Sequence, residues 1–67
     1  MSKYQKLWEY ISNISDSQVI LSFDQIQNIC GVAIDHSFLT YKKELLDYGW
    51  SVKKIYMKDK RIEFVKA

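Results

Sequence analysis

The stretch WSVKKIYMKDKRIEFVKA, residues 50–67, decides the fold. Trp50 and Val52 share one parity, and Ile55 and Met57 share the other. A bulge near Lys53–Lys54 would bring all four onto one face of a strand. Lys58–Lys60 then reads as a turn. It lacks the Asn-Gly pair that a two-residue hairpin prefers, so a slightly longer, mobile tip is expected. Ile62 and Phe64 alternate inward on the return strand. The stretch carries six basic side chains (Lys53, Lys54, Lys58, Lys60, Arg61, Lys66) against Asp59 and Glu63, a balance of +4. The first 49 residues carry four lysines against six acids, a balance of −2, so the overall +2 conceals a dipolar chain ending in a basic hairpin.

Working back from the hairpin, Gly49 closes a helical pattern opened by Asp35, an N-cap residue; the spacing predicts a third helix running to Tyr48. At 100° per residue Phe38, Tyr41, Leu45 and Tyr48 cover one flank, and Leu39 and Leu46 cover another. Lys42 falls between them. This apolar arc is about 180° wide, broader than one core contact needs, so either Lys42 snorkels out or one flank faces a groove edge or a partner. His36, Ser37, Thr40, Lys43, Glu44 and Asp47 form the polar face.

Ahead of it, Ser22 and Gln25 have capping-box spacing with Leu21 and Ile26 as a hydrophobic staple, predicting a second helix that ends at Gly31. Phe23, Ile26, Ile29 and Cys30 make its apolar face. Gln18–Leu21 is short and β-branched and reads as one strand. Ser2 and Gln5 suggest a first capping box, followed by Tyr4, Leu7, Trp8 and Ile11 at helical spacing. Asn13–Ser17 should stop that helix, since Asn, Ser and Asp bond locally to backbone. Trp8, Trp50, Phe23, Phe38 and Phe64 are expected in the core. The order is helix, strand, helix, helix, strand, strand: an α+β chain with the outline of a winged helix-turn-helix in a single domain, 1–67.

Composition narrows the function classes. Sixty-seven residues, 48% of them hydrophobic and with no proline, fit one globular domain near the lower size limit for a self-sufficient core. Cys30 is the only cysteine, which excludes an internal disulfide and suits a small core residue. Met1–Ser12 is polar and carries no secretory signal pattern. Val19–Leu21 is as long as any apolar run becomes, far short of the ~20 residues that span a bilayer. A reducing, cytoplasmic setting is expected, with no membrane partner.

Catalysis finds no support. His36 is the only histidine, without a cysteine or second histidine at ligand spacing, so no metal is expected. The chain has no Gly-rich phosphate loop, nucleophile elbow or acidic metal cluster. No cofactor or small-molecule substrate follows, and the chain reads as a non-enzyme. Aligning Gly31 with the turn glycine of a helix-turn-helix sets Ile26, Cys30 and Val32 on its apolar positions. The apolar positions of the next helix, Phe38 and Tyr41, need a turn one residue longer, as winged helices have. On that alignment His36, Ser37 and Thr40 would meet base edges and Lys43 a phosphate. Lys58, Lys60 and Arg61 at the wing tip would meet backbone or a minor groove. The reading is therefore a nucleic-acid-binding domain, most naturally for double-stranded DNA, serving as a small accessory regulator. The alternative is a protein-interaction module or homodimer, using Leu39, Tyr41, Leu46 and Tyr48 as its seam. Glu44 and Asp47 weigh against DNA on the helix face they share with Lys43.

The chain also resembles a family of small bacterial proteins and domains of unknown function. The resemblance rests on Lys3, Tyr4, Leu7, Trp8 and Tyr10, then Leu21, Ser22, Phe23, Ile26, Ile29 and Gly31, then Gly49, Trp50, Val52 and Phe64. It implies a winged-helix-like fold and supplies no catalytic residue. The pattern departs over Asp35–Leu45, where that family has arginines and paired tryptophans.

Overall fold

The computed structural model describes residues 3–67. It is a small α+β domain of three helices and a three-stranded antiparallel sheet. In chain order the elements are α1 (Gln5–Ser12), β1 (Gln18–Ser22), α2 (Phe23–Cys30), α3 (Ser37–Tyr41), a 3-10 segment (Lys42–Tyr48), β2 (Trp50–Tyr56) and β3 (Arg61–Lys66). The sheet order is β1-β3-β2, so the last strand lies between the other two.

α1 buries Leu7, Trp8 and Ile11 along one stripe, as their spacing requires. The expected Ser2 capping box falls on a residue outside those described; Tyr4 occupies the N-cap position and is itself fully buried. The helix stops because Ser12 Oγ and Asn13 Nδ2 both donate to the Glu9 carbonyl, at 2.8 and 3.0 Å, and so compete with its continuation.

The strand-to-helix boundary at Ser22 forms as its sequence dictates. The Gln25 amide donates to Ser22 Oγ at 3.1 Å, and the Ser22 amide donates to Gln25 Oε1 at 2.8 Å. Two of the helix's orphan amides thus find partners. α2 ends at Gly31 with φ +78°, a conformation glycine adopts without a Cβ clash. Cys30 is buried, with its thiol donating to the Val32 carbonyl at 3.4 Å.

The third helix departs from expectation. The α-helical winding lasts only from Ser37 to Tyr41, and Lys42–Tyr48 tightens to a 3-10 helix before Gly49 closes it at φ +82°. Three residues per turn line up Lys42, Leu45 and Tyr48 in one row and put Lys43 and Leu46 in another. In the first row Leu45 is fully buried and Tyr48 packs against the core. So the wide arc is not buried whole: Leu39 and Leu46 stay 51% and 55% exposed, while Tyr41 and Tyr48 lie half-buried against the core.

In the hairpin, Trp50, Ile62 and Phe64 are buried, and the register slips between Val52 and Lys54, where the bulge was expected. Val52 and Ile55 are half-buried on the core side. Met57 does not share their burial. It keeps to the side of Ile55 and Ile62 but leaves the strand for the turn, where the chain reverses, and is 69% exposed. Turn Met57–Lys60 is closed by the Lys60 amide donating to the Met57 carbonyl at 3.3 Å, with Lys60 at φ +54°. That left-handed conformation costs a lysine about 1 kcal/mol. The Phe23 amide donates to the Lys60 carbonyl at 2.8 Å, tying the hairpin tip to the start of α2.

Two substitutions test these local causes. Lys60→Gly should raise stability by up to about 1 kcal/mol, since glycine takes positive φ freely. Ser22→Ala should lower it by about 1 kcal/mol through loss of the cap. Thermal or urea unfolding reads both, and a destabilised Lys60→Gly would refute the strain at the tip.

Candidate nucleic-acid interface

Asp35 organises the entrance to α3. Its carboxylate accepts from the Ser37 amide at 2.8 Å, the Ser37 hydroxyl at 2.5 Å, the Tyr4 hydroxyl at 3.3 Å and the Lys3 ammonium at 2.7 Å. The cap function foreseen for Asp35 is present, although the helix proper begins one residue later, with His36 in the N-cap position. The Lys3 hydrogen bond, reinforced by the two donors of Ser37, holds the Asp35 carboxyl well below the usual carboxylate range. The same contact raises the Lys3 ammonium above its ordinary value.

The entrance leads into a groove. Phe23 from α2, Ile34, His36, Phe38 and Leu39 around the start of α3, and Ile55, Met57 and Ile62 from the hairpin enclose an apolar cavity of about 280 Å³. Two of the candidate residues, His36 and Leu39, therefore border the same depression as Met57, the first residue of the hairpin tip. The tip is held beside it by the Phe23–Lys60 hydrogen bond.

The other candidates divide. Thr40, Lys43, Lys58 and Lys60 are exposed. Among the described residues no salt bridge engages Lys43, Lys58 or Lys60. Ser37 is half-buried, and its hydroxyl is engaged by Asp35 and lies 3.4 Å from the Tyr4 hydroxyl. Arg61 points to the sheet face away from the helices; it sits 3.6 Å from Asp59 and 5.2 Å from the centre of the Tyr56 ring. Lys54 lies 5.0 Å from the same ring. Beneath them Glu63 is buried, accepting from the Tyr56 hydroxyl at 3.1 Å and lying 3.8 Å from Lys53. That hydrogen bond, with some desolvation, raises the Tyr56 hydroxyl above its ordinary value.

Glu44 is a correction to the sequence reading. It does not stand free on the polar face beside Lys43: it is half-buried and accepts from the Trp8 indole N–H at 3.1 Å. The signal was present in the sequence, since a buried indole needs an acceptor, but the acceptor lies 36 residues away. The apolar groove and the Lys54–Tyr56–Arg61 stack were not foreseen at all. Among the described residues no group of three or more His, Cys, Asp or Glu could hold a metal ion, and no helix is long and apolar enough to cross a membrane. Comparison with known proteins finds no matching family model, no matching curated protein and no matching solved structure.

The Asp35 contacts fix a pH dependence. A carboxyl depressed on folding adds stability above its ordinary value of 3.8 and loses it as the pH falls through the folded value. Asp35→Asn should therefore lower the melting temperature at neutral pH, and the gap to the parent should narrow as the medium turns acid. Lys3 works at the other end: its raised value makes its contribution complete below 10.5 and lost at higher pH. Melting curves across the acid range, with a carboxyl titration by NMR, would show whether Asp35 behaves so. A gap that is constant with pH would contradict the ion pair.

Proposed function

We propose that the chain is a winged-helix domain that binds double-stranded DNA without catalysing a reaction, acting in the cytoplasm as a small accessory regulator. The carrying observation is that the start of α3 and Met57 of the hairpin turn border one groove, while Lys43 on the 3-10 segment and Lys58 and Lys60 on the turn are exposed. The element order and the central position of β3 in the sheet agree with such a domain. So does the resemblance to small bacterial domains carried by Leu21–Phe23 and Gly49–Val52. In this reading α3 offers His36 and Thr40 to base edges, and Lys43 reaches phosphate. Lys58 and Lys60 approach the backbone from the wing, and Arg61 joins them by releasing Asp59. Glu44 is turned towards the Trp8 indole, while Asp47 stays exposed as an acid that opposes this arrangement.

One observation favours a second reading. Leu39 and Met57, both more than half exposed, stand at the mouth of the apolar groove between the two proposed DNA-contacting elements. Phosphate gains nothing from such a surface, whereas a protein partner does.

The two readings separate by salt. Three to four phosphate contacts give a slope of about −3 in log K against log salt on duplex DNA. Reversing charge at Lys58 and Lys60 together should cut binding steeply while leaving the melting temperature close to that of the parent, since both are exposed. No binding at low salt would end the DNA reading. Loss of protein capture in Leu39→Asp, with charge reversal harmless, would install the second.

A further inference from the structure

We propose that β1 is a self-pairing edge: two copies of the chain join antiparallel through Gln18–Ile20 into a continuous six-stranded sheet. This surface is distinct from both the groove and the exposed flank of the 3-10 segment.

The direction of each β1 backbone group follows from the register. Ser17 accepts from the Lys66 amide at 2.9 Å, and the Phe23 amide donates to Lys60 at 2.8 Å. Both pairs continue the β1–β3 register that sets Val19 opposite Phe64 and Leu21 opposite Ile62. Hydrogen-bonded pairs alternate along an antiparallel ladder, so residues 17, 19, 21 and 23 turn their amide and carbonyl groups towards β3. Those of Gln18, Ile20 and Ser22 point to the open side. The Ser22 amide is already taken by Gln25 Oε1. Two donors and two acceptors therefore remain, on Gln18 and Ile20, and among the described residues no other group bonds them from that side.

The capping box selects the register. Pairing Gln18 with Ile20 of a second copy, and Ile20 with its Gln18, satisfies all four groups on each chain and sets Val19 opposite its own counterpart. A register centred on Ile20 would need the Ser22 amide. A two-fold axis normal to the sheet relates the copies, so the same patch serves both and the helices of both lie on one side.

The contrast between edges supports this occupant. β2, the other edge, is interrupted by the bulge between Val52 and Lys54 and carries Lys53 and Lys54, devices that block strand addition. β1 has no charge, proline or bulge, and Ile20 is 46% exposed. A second copy fits this uncharged edge because the two-fold axis sets the free donors and acceptors of Gln18 and Ile20 on one chain against those of Ile20 and Gln18 on the other. The area is well below the ~1,600 Å² of a standard interface, so a weak dimer is expected, with Kd on the order of 100 µM.

Hydrogen exchange and sedimentation on the protein without nucleic acid test this apart from the DNA reading. Between ~10 µM and ~1 mM the mass should rise from that of the 8.0 kDa monomer towards twice that value. Over the same range the Gln18 and Ile20 amides should exchange about fourfold more slowly. Gln18→Pro removes an outward amide and no bond to β3, so it should leave a folded monomer. Ile20→Lys, whose side chain lies outside the core, should do the same should proline disturb the strand. A monomer at the highest concentration overturns the proposal. So does a dimer that leaves these two amides unprotected, or one that survives both substitutions.

Discussion

The position of α3 depends on the aromatic cluster that Tyr4 and Trp8 build with Phe38. Tyr4 meets Phe38 edge-on at 5.3 Å between ring centres, and Trp8 meets it at 5.8 Å. A helix of five α-helical residues has no stability of its own, because nucleation costs more than so few hydrogen bonds return. What holds it is α1: two buried rings, the Tyr4 hydroxyl on Asp35 and the Trp8 indole on Glu44. Each of those side chains is amphipathic, with an apolar body in the core and a polar end that fastens one turn of the opposing segment. His36, Leu39 and Thr40 inherit their placement from these contacts, so α1 shapes a surface that it does not itself present.

What could be read from the sequence was local chemistry. Ser22 with Gln25, Gly31, Gly49 and the Lys53–Lys54 bulge each depend on residues within a few positions, and each formed where expected. What could not be read was decided across the fold. An α-helix and a 3-10 helix differ by about 20° per residue, and nothing in KKELLDY chooses between them. The choice accompanies the burial of Leu45 and the reach of Glu44 to Trp8. Met57 keeps its expected side but not its burial, since the chain turns away from the core there. Of the candidate site, the tip lysines and the start of α3 were legible as positions. The groove between them was not, because Phe23, Leu39 and Met57 come together from three separate segments.

The hairpin's charge is also less uniform than its composition implies. Lys53, Lys54 and Arg61 are drawn to the sheet face away from the helices, around Tyr56 and the buried Glu63. A buried carboxylate is costly without partners; Glu63 has the Tyr56 hydroxyl and Lys53, while Lys54 and Arg61 lie against the Tyr56 ring. Three of the six basic residues that mark the hairpin in the sequence therefore help to hold its outer face together. The charge left for an outside partner is concentrated at Lys58 and Lys60, at the tip.

The tip itself carries the clearest tension between local preference and placement. Lys60 adopts a positive φ that glycine or asparagine would accept more easily. Its carbonyl is fixed by the Phe23 amide, so the turn cannot relax without releasing the first residue of α2. The strain therefore persists because the β1–β3 ladder and the α2 cap, on either side, over-determine the backbone. The frame fixes where the Lys60 Cα–Cβ bond leaves the tip, while the exposed side chain beyond it stays free to rotate and keeps its full rotamer entropy.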